Sequence, residues 1–430
     1  MPFFAEAFLQ TASKMSGQTT TRHPMPKAHS LLAVLSLLTA SLCQAQTGTF
    51  VDKWGANDLR VVSYNIFNDA IFPPSDDPFN DVPERFRRVV NALQPDVLAV
   101  QEIRDFTASE TAALLDSVAP LPGGANWHAH KNSDNVILSR FPFLLTTSQA
   151  GHADALIDLP DADYAQDFFV LNDHLPCCSN EVDRQFEADR IVRWIDDARS
   201  PGGSITLPDE TPFVLLGDFN IVGSGQPLDT LVTGDIINTF IGPDSPPDWD
   251  GTPLTDSRPL HNASGPNDYT WRNDTSRFPP GRLDYILYSD SVVETANSFV
   301  LNTTILSASE RLATGLQSND VLINAGSGFF DHLPVVVDFR LAAPIAGDYN
   351  ADGTVDELDY TAWQNTFGQA VSPGTSADGN NDGLIDAADY TVWRDAQSAP
   401  AAAVPEPISL LLASFAASTT LRCRRATTST

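Results

Sequence analysis

Positive charge is scarce in this sequence. Its 430 residues carry 25 Lys+Arg against 55 Asp+Glu, a formal net charge of −30. Residues 51–342 alone hold 18 basic and 43 acidic side chains, a net of −25, so the acidity is not confined to a tail. Such a surface excludes a broad electrostatic grip on a polyanion and leaves only a local cleft, lined by arginine or filled by a metal, to hold one. No cluster of Lys and Arg interleaved with aromatics stands out. Cysteine is equally sparse, with four in the chain. Cys43 and Cys423 lie in apolar terminal segments, which leaves the adjacent pair Cys177–Cys178. That excludes a disulfide framework, and no second Cys/His cluster stands at zinc-ligand spacing. The pair reads as a strained vicinal disulfide or as two small residues packing near a cleft, and we expect the packing. No apolar run reaches the ~20 residues that span a bilayer comfortably. What is present is a hydrophobic content of 42%, enough for a large core, in a chain long enough for more than one domain.

The two ends read as addresses. Residues 25–46, MPKAHSLLAVLSLLTASLCQAQ, place Lys27 and His29 before an apolar run from Leu31 to Leu42, with Ala45 near a cleavage position. That order predicts a secretory signal in region 1–46, starting at Met25. At the other end Pro405 and Pro407 precede a 14-residue apolar run, Ile408–Leu421, and then Arg422, Arg424 and Arg425. Residues 399–430 thus resemble a bacterial PEP-CTERM sorting signal. That resemblance implies membrane or sorting machinery as a partner and a secreted or cell-envelope location. An ordinary C-terminal anchor is the alternative.

Residues 344–398 contain an internal repeat with a period of 30. Oxygen side chains stand at loop positions 1, 3, 5, 9 and 12, with Gly at position 6. The first loop offers Asp348, Asn350, Asp352, Asp356 and Asp359; the second offers Asp378, Asn380, Asp382, Asp386 and Asp389. Calcium takes six to eight oxygens around a sharp turn that glycine permits, and the carbonyls of Thr354 and Leu384 fall at position 7. Asp replaces the usual Glu at position 12. The loop–helix pair, lacking an entering helix, resembles a type I dockerin. The resemblance implies a small all-α, EF-hand-type calcium module and a cohesin-like partner protein.

Between 47 and 343 short apolar runs alternate with amphipathic stretches, a mixed α/β pattern. LRVVSYNIF, PDVLAVQEI, NVILSRFP, DFFVLNDHL, TPFVLLGDFNI, RLDYILYS and LPVVVDF read as strands. VPERFRRVVNAL, TASETAALLDSV and EVDRQFEADRIVRWIDDA read as helices. Segment 222–268, rich in Pro, Gly and Asp, reads as a long substrate-side loop. Polar residues fall where the strands end: Asn65, Glu102, His174, Asp218, Asn220, Asp284, Asp331 and His332. Strand ends on one side of a sheet can assemble a site from distant sequence. Oxygen ligands of this kind suit Mg²⁺, Mn²⁺ or Ca²⁺, and with a histidine base they suit phosphate-ester hydrolysis.

The ordered motifs YNI, QPDVLAVQE, ILSRFP, NDHL, GDFN, YTW…RLDYI and DHLPV resemble the endonuclease/exonuclease/phosphatase superfamily. They cover essentially all of 59–340. The resemblance implies a four-layered α/β sandwich of the DNase I-like kind and a set of roles. Glu102 would be the principal metal ligand, with Asn65 and Asp331 completing metal or phosphate contacts. Asp218 and Asn220 would hold the metal or attacking water and the phosphate. His332 would be the general base, oriented by Asp284, and His174 would contact a phosphoryl oxygen or act as acid. Arg140 would position the phosphate or a supporting carboxylate. Trp271 reads as core support, and Asp173 is an extra acid with no assigned role. The expected substrate is a phosphodiester, with Mg²⁺ or Mn²⁺ at this site. A nuclease is the first expectation; a phospholipid, sphingomyelin or small phosphate esterase is the second. A silent calcium-dependent adhesion module is the third.

Overall fold

The structure is a computed structural model that describes residues 48–397, apart from 73–80, 150, 275, 322–329, 343–344, 351–352 and 372–373. The leader and sorting segments at the two ends, and Asp352 of the first acidic loop, lie outside the described residues. Among the described residues no helix is long and apolar enough to cross a membrane.

Two mixed six-stranded sheets carry the larger part of the chain. The first runs in the order β11 (Glu294–Val300), β12 (Val335–Arg340), β1 (Leu59–Asn65), β2 (Val97–Gln101), β4 (Asn135–Ser139), β3 (His128–Asn132). The second runs β5 (Phe143–Ser148), β6 (Ala153–Ile157), β7 (Phe168–His174), β8 (Phe213–Asp218), β10 (Asp284–Tyr288), β9 (Thr255–Asp256). Alternation along each strand sends side chains to opposite faces. Thus Val61, Val97 and Ile137 of the first sheet meet Val170, Leu216 and Ile286 of the second in a central apolar layer. The other faces pack outward. Val62, Leu98 and Leu138 lie under helices α1 (Val82–Leu93) and α2 (Ala108–Val118). Leu171, Phe213 and Leu215 lie under α3 (Glu181–Arg199) and α4 (Gln226–Thr233). The result is a helix–sheet–sheet–helix stack.

Local sequence explains the helix starts. Pro83 opens α1, where a missing N–H costs nothing. Thr107 and Glu110 form a capping box at α2. Strands β3, β5, β6, β9 and β11 were not among the expected strands. β3 is a half-exposed edge of His, Lys and Asn, and β11 carries a bulge between Thr295 and Asn297. The expected loop 222–268 contains α4 and β9; Gly225, Pro227 and Gly234, which read as loop residues, cap and open a helix instead.

One buried ion pair ties the first sheet to its surroundings. Arg60 meets Asp338 at 2.6 and 2.7 Å, and its remaining amino group donates to the carbonyls of Val51 and Leu93. Asp338→Ala strands a buried guanidinium, so we expect a loss of about 3–5 kcal/mol, read from the denaturant midpoint.

The acidic repeat forms two helices, α6 (Glu357–Thr366) and α7 (Ala387–Gln397), each entered from an acidic loop; a short fifth helix, α5 (Ala308–Thr314), precedes β12. Gly353 and Gly383, at position 6 of the loops, adopt φ of +83° and +84°, which accounts for glycine at both. Asp359 accepts the backbone N–H groups of Tyr349, Asn350 and Asp356; Asp389 accepts those of Asn380 and Asp386. The Trp363 indole donates to the Asp386 carbonyl at 2.8 Å, and Trp393 returns the contact to Asp356 at 2.7 Å.

Candidate active site

Topology gathers the polar strand ends. β1 and β2 are parallel and finish together, with Asn65 opposite Gln101. β12 is antiparallel to β1, so the residues just before it, Asp331 and His332, lie at that same end. In the second sheet β7 and β8 are parallel, with His174 opposite Asp218. β10 is antiparallel to β8 and places Asp284 opposite Asp218.

Asp218 Oδ2 is the point where these groups meet. It accepts Asn65 Nδ2 at 3.0 Å and lies 3.7 Å from His174 Nε2 and 3.6 Å from His332 Nε2. Asn65 Nδ2 also donates to Glu102 Oε1 at 3.2 Å. The other Glu102 oxygen accepts Asn68 N–H at 2.8 Å. Glu102 itself holds φ at +69°, in the left-handed region. Strain of this kind costs of order 1–3 kcal/mol and persists only where the surroundings fix it. His332 Nδ1 lies 2.8 Å from Asp284 Oδ2. Asp331 sits beside it, its Oδ2 accepting the Trp271 indole at 3.0 Å. Asn220, at φ +49°, donates to the Leu175 carbonyl at 3.1 Å and so ties down the end of β7.

Burial and charge set the protonation. Burial raises the Asp218 carboxyl to about 6, against the pull of His332. Burial alone would lower both histidines. For His174 the carboxylates of Asp134, Asp218 and Glu102 outweigh it and push the imidazole up to about 9. For His332, Asp284 and Asp218 do the same, up to about 10.

Two residues under the site had no place in the expected set. Asp134, in the turn between β3 and β4, lies 3.1 Å from His174 Nδ1, making a second His–Asp pair. Asn172 reaches across the central layer, accepting Gln101 Nε2 at 2.7 Å and donating to the carbonyls of Val100 and Val136 at 3.0 Å. It sets the spacing of the two sheets directly beneath the site. Its signal was a polar residue on the inward face of an apolar strand. The signal for Asp134 was weaker: an acid in a tight turn before a buried strand.

Two expectations fail, and the unassigned Asp173 finds its place. Arg140 is not near the site. It follows β4 at the far end of the sheet and pairs with Asp96 at 2.9 Å, just before β2, whereas Glu102 follows the other end of β2. Arg140→Ala should therefore leave kcat/KM unchanged in a steady-state assay while lowering the melting temperature. Cys177 and Cys178 do not pack inward; both thiols are free and exposed. Asp173 does not face the site at all, because strand alternation turns it away from His174.

Two neighbouring groups could hold a hard divalent cation: Glu102 with Asn65 and Asp331, which leaves His332 free, and Asp218 with Asp284 and His332, which does not. The Asp218, Asp284 and His332 ligand atoms lie within 4.8 Å of one another, and Asp284 Oδ1 is buried with no hydrogen-bond partner. Buried carboxylates so close together need a proton or a cation between them.

A sandwich of two sheets with paired acids and histidines gathered at one end is equipped for acid–base and metal-assisted chemistry. The chain belongs to the endonuclease/exonuclease/phosphatase family, whose model matches residues 62–307. A type I dockerin domain occupies residues 346–393. Solved structures similar to this chain include the human Nocturnin catalytic domain with bound sulfate (14% identity, 66% of this chain, 95% of that one, TM-score 0.40). A mannosyl-6-phosphatase from Bacteroides thetaiotaomicron is 17% identical over 66% of this chain and 100% of its own, TM-score 0.41. Truncated Caenorhabditis elegans TDP2 is 17% identical over 66% and 98%, TM-score 0.40. No curated protein matches the sequence.

Proposed function

We propose that this protein is a divalent-metal-dependent phosphodiesterase, acting first on nucleic acid, secreted or held at the cell envelope. The observation that supports this reading is the pair of His–Asp couples, His332–Asp284 and His174–Asp134, on either side of Asp218. Mg²⁺ or Mn²⁺, held by Glu102 with Asn65 and Asp331, would offset phosphoryl charge. His332, aligned by Asp284, would take the proton of the attacking water once a bound cation offsets the carboxylates that hold its imidazole protonated in the metal-free protein; Asp218 and Asn220 orient that water and the phosphate. His174, kept cationic by Asp134, donates to a phosphoryl or leaving oxygen.

A second reading has its own support. Ile237 and Phe240 are exposed within segment 222–268, Phe240 completely. Exposed apolar side chains of this kind suit contact with a lipid or other apolar group. Plasmid DNA, RNA, sphingomyelin and bis-p-nitrophenyl phosphate, each with and without EDTA, separate the readings. Activity on none of them with Mg²⁺, Mn²⁺ or Ca²⁺ would favour the silent adhesion module.

The repeat, in this reading, binds two Ca²⁺ and presents the chain to a cohesin-like partner. Ligands are Asp348, Asn350, Asp352, Asp356, Asp359 and the Thr354 carbonyl, and Asp378, Asn380, Asp382, Asp386, Asp389 and the Leu384 carbonyl. Calorimetry on the full chain should show two calcium events that Asp359→Ala plus Asp389→Ala removes. No difference at millimolar calcium would discard the claim.

A further inference from the structure

Asp173 belongs to a buried cluster on the far face of β7. Along that strand Asn172 and its neighbours alternate, so Asp173 points toward α3 while His174 points into the site. Asp173 is 0% exposed, and its Oδ2 is buried with no hydrogen-bond partner. Its Oδ1 accepts the backbone N–H of His174 at 2.9 Å. Glu187 approaches from α3. A Cβ built on Gly151 would stand 2.2 Å from Glu187 Oε1 and 3.9 Å from Asp173 Oδ1, which places both carboxyl groups beside Gly151. His152, just before β6, is 1% exposed and pairs with Asp154 at 2.6 Å; Asp154 also accepts Thr147 Oγ1 at 2.7 Å.

The charges facing this cluster come from every element around it. Asp173 faces His152 and Asp154 from the β6 side and His174 on its own strand. Glu187 faces Asp173, His152, His174 and its helical neighbour Arg190. Arg184, the other nearby cation of α3, is taken by the carbonyls of Pro176 and Val222. His152 and Asp154 offset each other, which leaves the buried Asp173 and the half-buried Glu187 to share the remaining balance. Two such groups in one low-dielectric site do not both ionise.

We propose that Asp173 and Glu187 share one proton behind β7 and thereby act as positioning residues for His174. The shared proton keeps the two carboxyl groups together, and Asp173 Oδ1 then holds the His174 backbone. Losing that proton sets two negative charges against each other; Asp173 swings away and the His174 N–H loses its acceptor. Burial and the neighbouring Asp173 raise the Glu187 carboxyl to about 8. A carboxyl raised in the folded state binds a proton the unfolded chain has lost. Its contribution to stability is therefore present below the ordinary glutamate range and is lost as pH rises to about 8.

The inference rests on the proposed role of His174, so the test includes readouts that need no activity. In the full chain, the melting temperature of the wild type should fall relative to Glu187→Gln as pH rises from 5 to about 8. The His174 imidazole NMR titration should change between the two proteins. With an active substrate, the alkaline limb of the wild-type kcat profile should move up by about one pH unit in Glu187→Gln, with KM unchanged. Asp173→Ala should lower kcat, and Asp173→Asn, which keeps the acceptor, should restore it. Parallel melting curves for wild type and Glu187→Gln would overturn the shared proton. Diverging melting curves with an unchanged His174 titration would overturn the positioning role. A wild type inactive on every substrate would instead remove the phosphodiesterase reading, and the melting and NMR results would still decide this one.

Discussion

His332→Ala should lower kcat by about 10²–10⁴-fold with little change in KM, the range for loss of a general base. The expectation comes from geometry. His332 is 6% exposed, its Nδ1 is fixed by Asp284 and its Nε2 points toward Asp218. The substitution also leaves Asp284 buried without its partner, when Asp284 Oδ1 already lacks one. His332→Asn, which keeps a polar group beside Asp284, separates the two effects. If melting temperature holds while turnover is lost, the loss is chemical. Turnover equal to wild type in either variant, on any substrate the wild type cleaves, would sink the assigned base.

Glu102→Gln should weaken Mg²⁺ or Mn²⁺ affinity by roughly 10–100-fold or more and reduce kcat with it, as for loss of a metal-orienting group. The replacement keeps the size of the side chain and its contact with Asn68 N–H while removing its charge. In the metal-free protein the same change should raise the melting temperature. Glu102 shares its surroundings with Asp331, whose carboxyl is raised by burial and by Glu102 itself. A site that is less stable with its carboxylates than without them is a site shaped for a cation. Metal-titrated activity and calorimetry check the first part, and melting in EDTA checks the second. A variant with wild-type metal affinity would move the principal ligand elsewhere.

Much of the fold was legible because its strands are buried on both faces. LRVVSYN, VLAVQ and FVLLGD are near-continuous apolar runs with a polar residue at the close, and each is a strand of the structure. Helix α1 matches its expected span residue for residue. Of the strands that were missed, β3, β5, β9 and β11 sit at sheet edges, where packing does not impose alternation, whereas β6 is short, internal and buried along its whole length. The helix inside 222–268 was hidden by glycine and proline that cap and open it. Among the site residues, those at strand ends came together as expected. Arg140 did not, because its motif marks a strand end without saying which end of the sheet it occupies.

What the sequence determined by itself was the inventory: hard oxygen donors and two histidines at strand ends, and two acidic loops of matched spacing. Short-range chemistry settles such things, since strand, cap and loop signals lie within a few residues. Only the tertiary structure decided direction. Parallel and antiparallel pairing places Asp284, Asp218 and His174 at one end of the second sheet and sends Arg140 to the far end of the first. The two-residue period of β7 turns His174 toward the candidate site and Asp173 toward α3. A carboxylate beside a histidine in sequence thus serves that histidine's backbone, while Asp134, forty residues away, meets its ring.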